Sequence, residues 1–327
     1  MKKHSTIFLI FTLFFLLISL PECNNSKKKD RYVVGFSQIG TESDWRIANT
    51  DEMREAFDNH PRFTMIYSDA QQRRDNQVSA IRSFIQQKVD AIIFAPIVAT
   101  GWDVILSEAK DAGIPVIVIN RAARMISGNI EKYTVCLVAP DNVYAGEILA
   151  KSFIEAFGDE PGPVYVAEMT GTSGSSSSAD RGRGIHTILD NSSHIIIRYS
   201  QTGDYSRVTA AKVMENILLE SRAEGIKLRG LISHNDDMAI GASQAIEEAG
   251  LIPGRDILIA GIDGTNEAIE AIREGRYTIT VENPLGYGNK TIEILLDLLD
   301  NGKKPDNYWV VLKNEVYTAD SFLSSHF

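Results

Sequence analysis

Leu231-Ile-Ser-His-Asn235-Asp-Asp-Met-Ala-Ile240-Gly-Ala-Ser-Gln-Ala245-Ile-Glu-Glu-Ala-Gly250, followed after a turn by Ile257-Leu-Ile-Ala-Gly-Ile-Asp-Gly264, is the stretch that decides the fold. Leu231 and Ile232 close a short apolar strand. Asn235 to Asp237 follow at its carboxyl end and offer helix caps, because short polar side chains accept from the free N–H groups of a first turn. Met238, Ala239, Ala242, Ala245, Ile246 and Ala249 then recur at helical spacing. Gly250 stops the helix and Pro253-Gly254 turns the chain. Ile257 to Ile262 is a second apolar strand, ending in Asp263-Gly264. A strand, a crossover helix and another strand make one unit of a parallel sheet. Open α/β sheets bind ligands at the carboxyl ends of their strands, which brings the amide of Asn235 and the carboxylate of Asp263 to one crevice.

The same alternation runs outward from this unit. Upstream, strands are expected at 32–37, 63–67, 89–94, 115–119 and 134–138, with helices at 45–59, 75–87 and 102–112 between them. A second run begins at Asp141-Asn142, which caps a helix reaching Phe157. Strands follow at 163–168 and 195–199, with helices at 181–190 and 206–219; Gly171 to Ser178 reads as a Gly/Ser loop. Downstream lie a strand at 277–281 and a helix at 287–299. Such alternation predicts α/β architecture with parallel, doubly wound sheets. The two halves repeat one architecture without repeating sequence.

Asn235-Asp-Asp-Met-Ala-Ile-Gly241 with Gly261-Ile-Asp-Gly264 resembles the second lobe of the periplasmic sugar-binding proteins of the ribose type, whose fold also forms the sensor core of the lactose-repressor family. The resemblance implies two doubly wound parallel-sheet lobes, joined by a three-strand hinge, that close around a monosaccharide. It implies a first lobe of residues 31–139 plus 283–307 and a second of 140–282 plus 308–327, with crossings near Pro140, Glu282 and Tyr308. Delivery to the membrane permease of an ABC transporter is implied as well. A ligand-presenting sensor for a membrane receptor kinase is the alternative, and its site would look the same.

Met1 to Leu20 reads as a leader: Lys2 and Lys3 form a basic start, and Ile7 to Leu20 is an apolar run too short for a membrane span. Leu20-Pro-Glu-Cys23 resembles a bacterial lipoprotein cleavage box, with Glu22 where a small residue is preferred. Residues 1–22 are therefore expected to be removed, Cys23 to be acylated, and 23–30 to be a tether at the outer face of the membrane or in the periplasm.

Composition agrees with an exported domain. The 327 residues, 44% hydrophobic, suffice for two cores. A net charge of −10 without a basic stripe argues against nucleic acid. Cys136 lies in a strand pattern and reads as a buried, unreactive thiol. The six histidines show no metal-ligand spacing, and no activated nucleophile or cofactor fingerprint is present. The expectation is a monomeric binding protein without catalysis, metal or cofactor.

Candidate ligand contacts follow the strand ends. Glu42-Ser-Asp-Trp45-Arg46 starts a helix, and its acids also suit a helix N-terminus. An indole flanked by Glu42 and Arg46 is equally what a sugar requires: the ring face covers apolar C–H bonds while charged groups bond the hydroxyls. Ser37-Gln-Ile-Gly-Thr-Glu-Ser-Asp-Trp-Arg46, with Ala95-Pro-Ile-Val-Ala-Thr-Gly-Trp102, is similar to the galactofuranose-binding branch of the family. That branch has Asp-Arg where this chain has Asn120-Arg121, each contacting sugar hydroxyls; Asn120 keeps an acceptor and loses a charge. The resemblance further assigns Arg181 as a ligand contact, Tyr205 as the aromatic opposite Trp45, and Glu282 as the hinge acid.

Overall fold

The computed structural model describes residues 29–158, 160–192 and 194–323. The leader, Cys23 and all but the last two residues of the tether lie outside the described residues. From Arg31 onward the chain forms one compact unit built on two sheets.

In chain order the first half contains β1 (Tyr32–Gln38), α1 (Asp44–Asp58), β2 (Phe63–Asp69), α2 (Arg74–Gln86), β3 (Ala91–Phe94), α3 (Asp103–Asp111), β4 (Val116–Ile119) and β5 (Cys136–Pro140). The second half contains α4 (Asn142–Phe157), β6 (Val164–Thr170), α5 (Ser176–Leu189), β7 (Ile195–Thr202), α6 (Arg207–Ala223), β8 (Leu228–Ser233), α7 (Asp236–Glu248), β9 (Leu258–Asp263), α8 (Asn266–Arg273) and β10 (Ile279–Glu282). The tail adds α9 (Tyr287–Asn301), β11 (Trp309–Leu312), β12 (Val316–Thr318) and α10 (Ala319–Leu323).

The first sheet runs β11-β5-β4-β3-β1-β2 and the second β12-β10-β9-β8-β6-β7, so one strand order is used twice. Every pairing is parallel except β10 with β12. Strands β3 and β4 are buried at every residue, which is why they read as unbroken apolar runs: helices cover both faces of a parallel sheet. The first sheet packs one core around Phe36, Met53 and Phe57 and another around Phe94, Trp102 and Ile105. The second packs one around Met214, Met238 and Ile246 and another around Leu149, Phe153 and Ile185. Cys136 is a free, buried thiol, and burial pushes it up to about 12.

Helices α4 and α5 touch backbone to backbone. A Cβ on Gly146 would stand 2.1 Å from the Arg181 carbonyl oxygen, and one on Gly184 2.1 Å from that of Val143. Glycine is required at both places by that approach, and the contact fixes the helix that carries Arg181.

Three expectations change. Helix α5 begins at Ser176, five residues before the expected Arg181. Ser175 caps it through the Ser178 N–H, and a first turn of serines carries no apolar period that could announce a helix. Helix α8, capped by Thr265, was not anticipated. The third crossing lies later than Tyr308: β11 pairs with β5 from Trp309↔Leu137 to Leu312↔Pro140, so the tail completes the first sheet before β12 joins the second. The chain therefore passes between sheets after Pro140, after Glu282 and between Leu312 and Val316.

Candidate functional site

Strand ends of both sheets meet at one small cavity. The loop after β1 and the start of α1 bring Glu42, Trp45 and Arg46; the end of β4 brings Asn120 and Arg121. From the second sheet come Arg181 on α5, Tyr205 before α6, Asn235 after β8 and Asp263 ending β9. Nine of the ten expected side chains thus line one space. Glu282 does not. It faces a neighbouring cleft with Asp44, Thr265 and Glu267, and the next residue, Asn283, takes the place at the cavity. Successive side chains on an extended segment point to opposite sides, which is the physical reason for the exchange.

Glu42 Oε1 accepts from Arg46 Nε at 3.1 Å and from Arg121 Nη2 at 3.3 Å. Burial opposes its ionisation, but the two guanidiniums outweigh burial and hold the carboxyl below its usual range. Arg46 Nη2 donates to Asn120 Oδ1 at 2.8 Å, and Asn120 Nδ2 donates to Tyr287 Oη at 3.2 Å. Burial, then Arg46, lowers Arg121 to about 10. Arg181 Nε donates to Asn142 Oδ1 at 2.9 Å and Nη1 to the His234 carbonyl. With those donors engaged, Arg181 approaches Asp263 at 3.7 Å, too long for a short charge-assisted bond. Burial therefore prevails at Asp263 and pushes it up to about 8, with Asp236 and Asp237 adding to the rise.

The aromatic walls are held in different ways. Trp45 donates from Nε1 to the Asn283 carbonyl at 2.6 Å and meets Tyr287 edge-on at 6.1 Å. Tyr205 sits under the Arg121 guanidinium, 4.9 Å from its ring centre, and bonds Ser177 Oγ at 2.9 Å. Its ring lies flat against the backbone of Gly171, where a Cβ would come within 2.0 Å of the ring. Asn120, Tyr205 and Asp263 all have φ in the left-handed half of the map, at 61°, 58° and 136°. Strained backbone of this kind persists where the surroundings over-determine it, and it gathers at binding sites.

Glu42 Oε2, Arg46 Nη1 and Arg121 Nε are buried and have no hydrogen-bond partner among the described residues. These three atoms belong to side chains that line the cavity, and they supply one acceptor and two donors.

The lobes are drawn together around this space. The Asp44 N–H donates to Asp237 Oδ2 at 2.9 Å, the Ala99 N–H to the Gly174 carbonyl at 2.8 Å, and the Ala122 N–H to Ser176 Oγ at 2.6 Å. Arg207 joins Asp237 at 3.0 Å to Asp44 at 3.2 Å across the rim. Asn283 links the halves at the hinge, its amide reaching Asn120 at 3.4 Å and Asp263 at 3.3 Å.

Sequence reasoning missed Ser43, Ser177 and Asn283 at the cavity and Tyr287 beside it. Ser43 was legible only as a helix-start residue, Ser177 only as part of a Gly/Ser loop, and Asn283 as hinge. Trp102, part of the quoted resemblance, is a core residue that donates to the Val98 carbonyl at 2.7 Å and packs on Phe94. Asn235 does cap its helix, accepting from the Met238 N–H at 3.0 Å, as well as lining the cavity. Among the described residues no His, Cys, Asp and Glu cluster could hold a metal ion, and no helix is long and apolar enough to cross a membrane.

The profile of the periplasmic binding protein domain matches residues 34–304. The galactofuranose-binding protein YtfQ of Escherichia coli (strain K12) is 36% identical over 288 residues, 88% of each chain. The crystal structure of a galactofuranose binding protein superposes with a TM-score of 0.84 at 35% identity, over 90% of this chain and 96% of that one. The periplasmic component of the arabinose ABC transporter from Shewanella sp. ANA-3, bound to α- and β-L-arabinofuranose, gives a TM-score of 0.82 at 34% identity, over 90% of this chain and 94% of that one.

Proposed function

The chain belongs to the periplasmic binding protein family, and from that premise we propose that it captures one monosaccharide, galactofuranose-like in shape, and delivers it to an ABC-type sugar importer. The observation that carries this reading is the set of unpartnered buried atoms, Glu42 Oε2, Arg46 Nη1 and Arg121 Nε, on a cavity shared by two lobes. Burying a polar atom without a partner costs free energy, so such a site is complementary to a ligand rich in hydroxyls. Trp45 and Tyr205 border the cavity, and the relatives named for galactofuranose and arabinofuranose favour a five-membered ring.

In this reading Glu42, Arg46, Asn120, Arg121, Arg181, Asn235 and Asp263 fix the hydroxyls, and the three crossings between sheets are the hinge. Family membership implies work outside the cytoplasm, and Cys23 is the proposed lipid attachment there. Fractionation of a Cys23→Ala protein tests that attachment: it should leave the membrane fraction, whereas wild-type protein found wholly soluble refutes the anchor. For the ligand, a thermal-shift screen over pentoses, hexoses in furanose and pyranose forms, inositols and sugar acids is decisive. A rise in melting temperature with at least one furanose-forming sugar is expected. No response to any member of the panel sinks the reading.

A further inference from the structure

We propose that the natural ligand carries a negative charge, as a carboxylated monosaccharide of the aldonic or uronic acid class. This rests on the monosaccharide reading and narrows it. Three guanidiniums, those of Arg46, Arg121 and Arg181, line the cavity, each 3% exposed. Against them stand two acidic side chains, Glu42 and Asp263, and burial disfavours the charged form of the second. Glu282, which would have evened the count, points into the neighbouring cleft, and position 120 is a neutral amide.

The imbalance is sharper than the count. Arg46 and Arg121 share one oxygen, Glu42 Oε1, so one carboxylate serves two cations. Helices α1, α5 and α7, capped by Ser43, Ser175 and Asn235, all start at this cavity and add the positive ends of their dipoles. The acids in their first turns are engaged elsewhere. Asp44 and Asp237 bind Arg207, and Asp236 accepts from the Thr265 N–H and from Thr280 Oγ1. The downward push on Arg121, from burial and then from Arg46, is what crowded buried cations produce, and it would relax beside a bound anion.

The free atoms define the ligand further. Arg46 Nη1 and Arg121 Nε are donors without acceptors, which a carboxylate satisfies with charge-assisted bonds. Glu42 Oε2 is an acceptor without a donor, which a hydroxyl satisfies and an inorganic anion or simple carboxylate does not. A polyhydroxylated acid meets both demands, whereas a neutral sugar leaves the extra guanidinium charge buried and unpaired.

The test is titration calorimetry of the full-length protein with matched pairs: galactose with galacturonate and galactonate, glucose with glucuronate, arabinose with arabinonate. In each pair that binds, the acid should bind about ten-fold or more tightly than its neutral partner. Asn120→Asp, which puts a carboxylate beside Arg46, should reduce that preference to about three-fold or less, and a preference that stays at about ten-fold in the variant overturns the charge inference. A neutral sugar bound as tightly as its acid by the wild-type protein overturns the charge inference and leaves sugar capture standing. Silence across the whole panel, acids and neutral sugars alike, overturns the monosaccharide reading itself.

Discussion

Arg121 is the residue on which most of the site converges. It bonds Glu42 and the Ile97 carbonyl, covers the Tyr205 ring and retains a free Nε. Charge-assisted bonds from a desolvated guanidinium are worth about 1.5–3 kcal/mol, and each 1.4 kcal/mol is about ten-fold in affinity. Arg121→Ala should therefore weaken ligand binding by about ten- to a hundred-fold with the fold retained. Arg121→Lys should recover little, because an ammonium cannot reproduce the fork or the ring contact. Calorimetry that finds native affinity in either variant removes Arg121 from the site. Asp263 makes a separate prediction about pH. An unfolded Asp ionises at 3.8, whereas the buried one holds its proton up to about 8, so the native state binds more protons throughout that window. The stability of ligand-free protein should accordingly fall as pH rises from 4 to 8 and level off above. Melting curves at pH 5 and pH 8 should show the fall in wild type and a smaller one in Asp263→Asn; an equal fall in both assigns it elsewhere. At this scale the sequence was informative where chemistry and strand ends coincide, as at Glu42, Arg121 and Asp263. It was silent where orientation decides, and Glu282 against Asn283 is that case.

Elements were legible to the degree that they carry a period. α7 and β9 have one, an apolar helical stripe followed by an apolar run, and their bounds fell close to expectation. The first turn of α5 has none, since the hydroxyls of Ser176, Ser177 and Ser178 serve Ala122, Tyr205 and Gly171 rather than a core face. Strands β11 and β12 are short and half-exposed, so pairing with β5 and β10, not propensity, makes them strands. The crossing of α4 and α5 yields a test at this scale. Gly184→Ala would drive its methyl group into the Val143 carbonyl and push α5, with Arg181, off its seat. Overpacking of this kind costs about 1–3 kcal/mol. The variant should melt several degrees lower and bind ligand more weakly, whereas Ala at the open, exposed Gly225 should not affect binding. If Gly184→Ala keeps both melting temperature and affinity, the close crossing does not position Arg181.

For the whole molecule the informative fact is that lobe meets lobe through few, polar contacts. Backbone groups of Asp44, Ala99 and Ala122 and the side chain of Arg207 hold the rim, while among the described residues no apolar core spans the crevice. Polar rims of this kind trade readily for water, so a ligand held by both lobes is expected to favour their closure. Scattering should show a smaller radius of gyration with saturating ligand. Arg207→Ala, which removes a rim contact without removing a side chain that lines the cavity, should enlarge the ligand-free radius and weaken affinity modestly. An unchanged radius on saturation would mean the site is already formed without ligand.

The tail that gives β11 to one sheet and β12 to the other has a consequence for the birth of the protein. Every other strand precedes these two in the chain, so both sheets wait for the last strands to be synthesised. Until then β5 and β10 stand as bare edges, with unpaired N–H and C=O groups that invite wrong partners. Neither half can mature ahead of the other, as the first half of a simple tandem repeat could. The nascent chain stays unfinished at both ends of its hinge until one short segment closes two lobes together, and a stop placed before Trp309 would cost both sheets, not one.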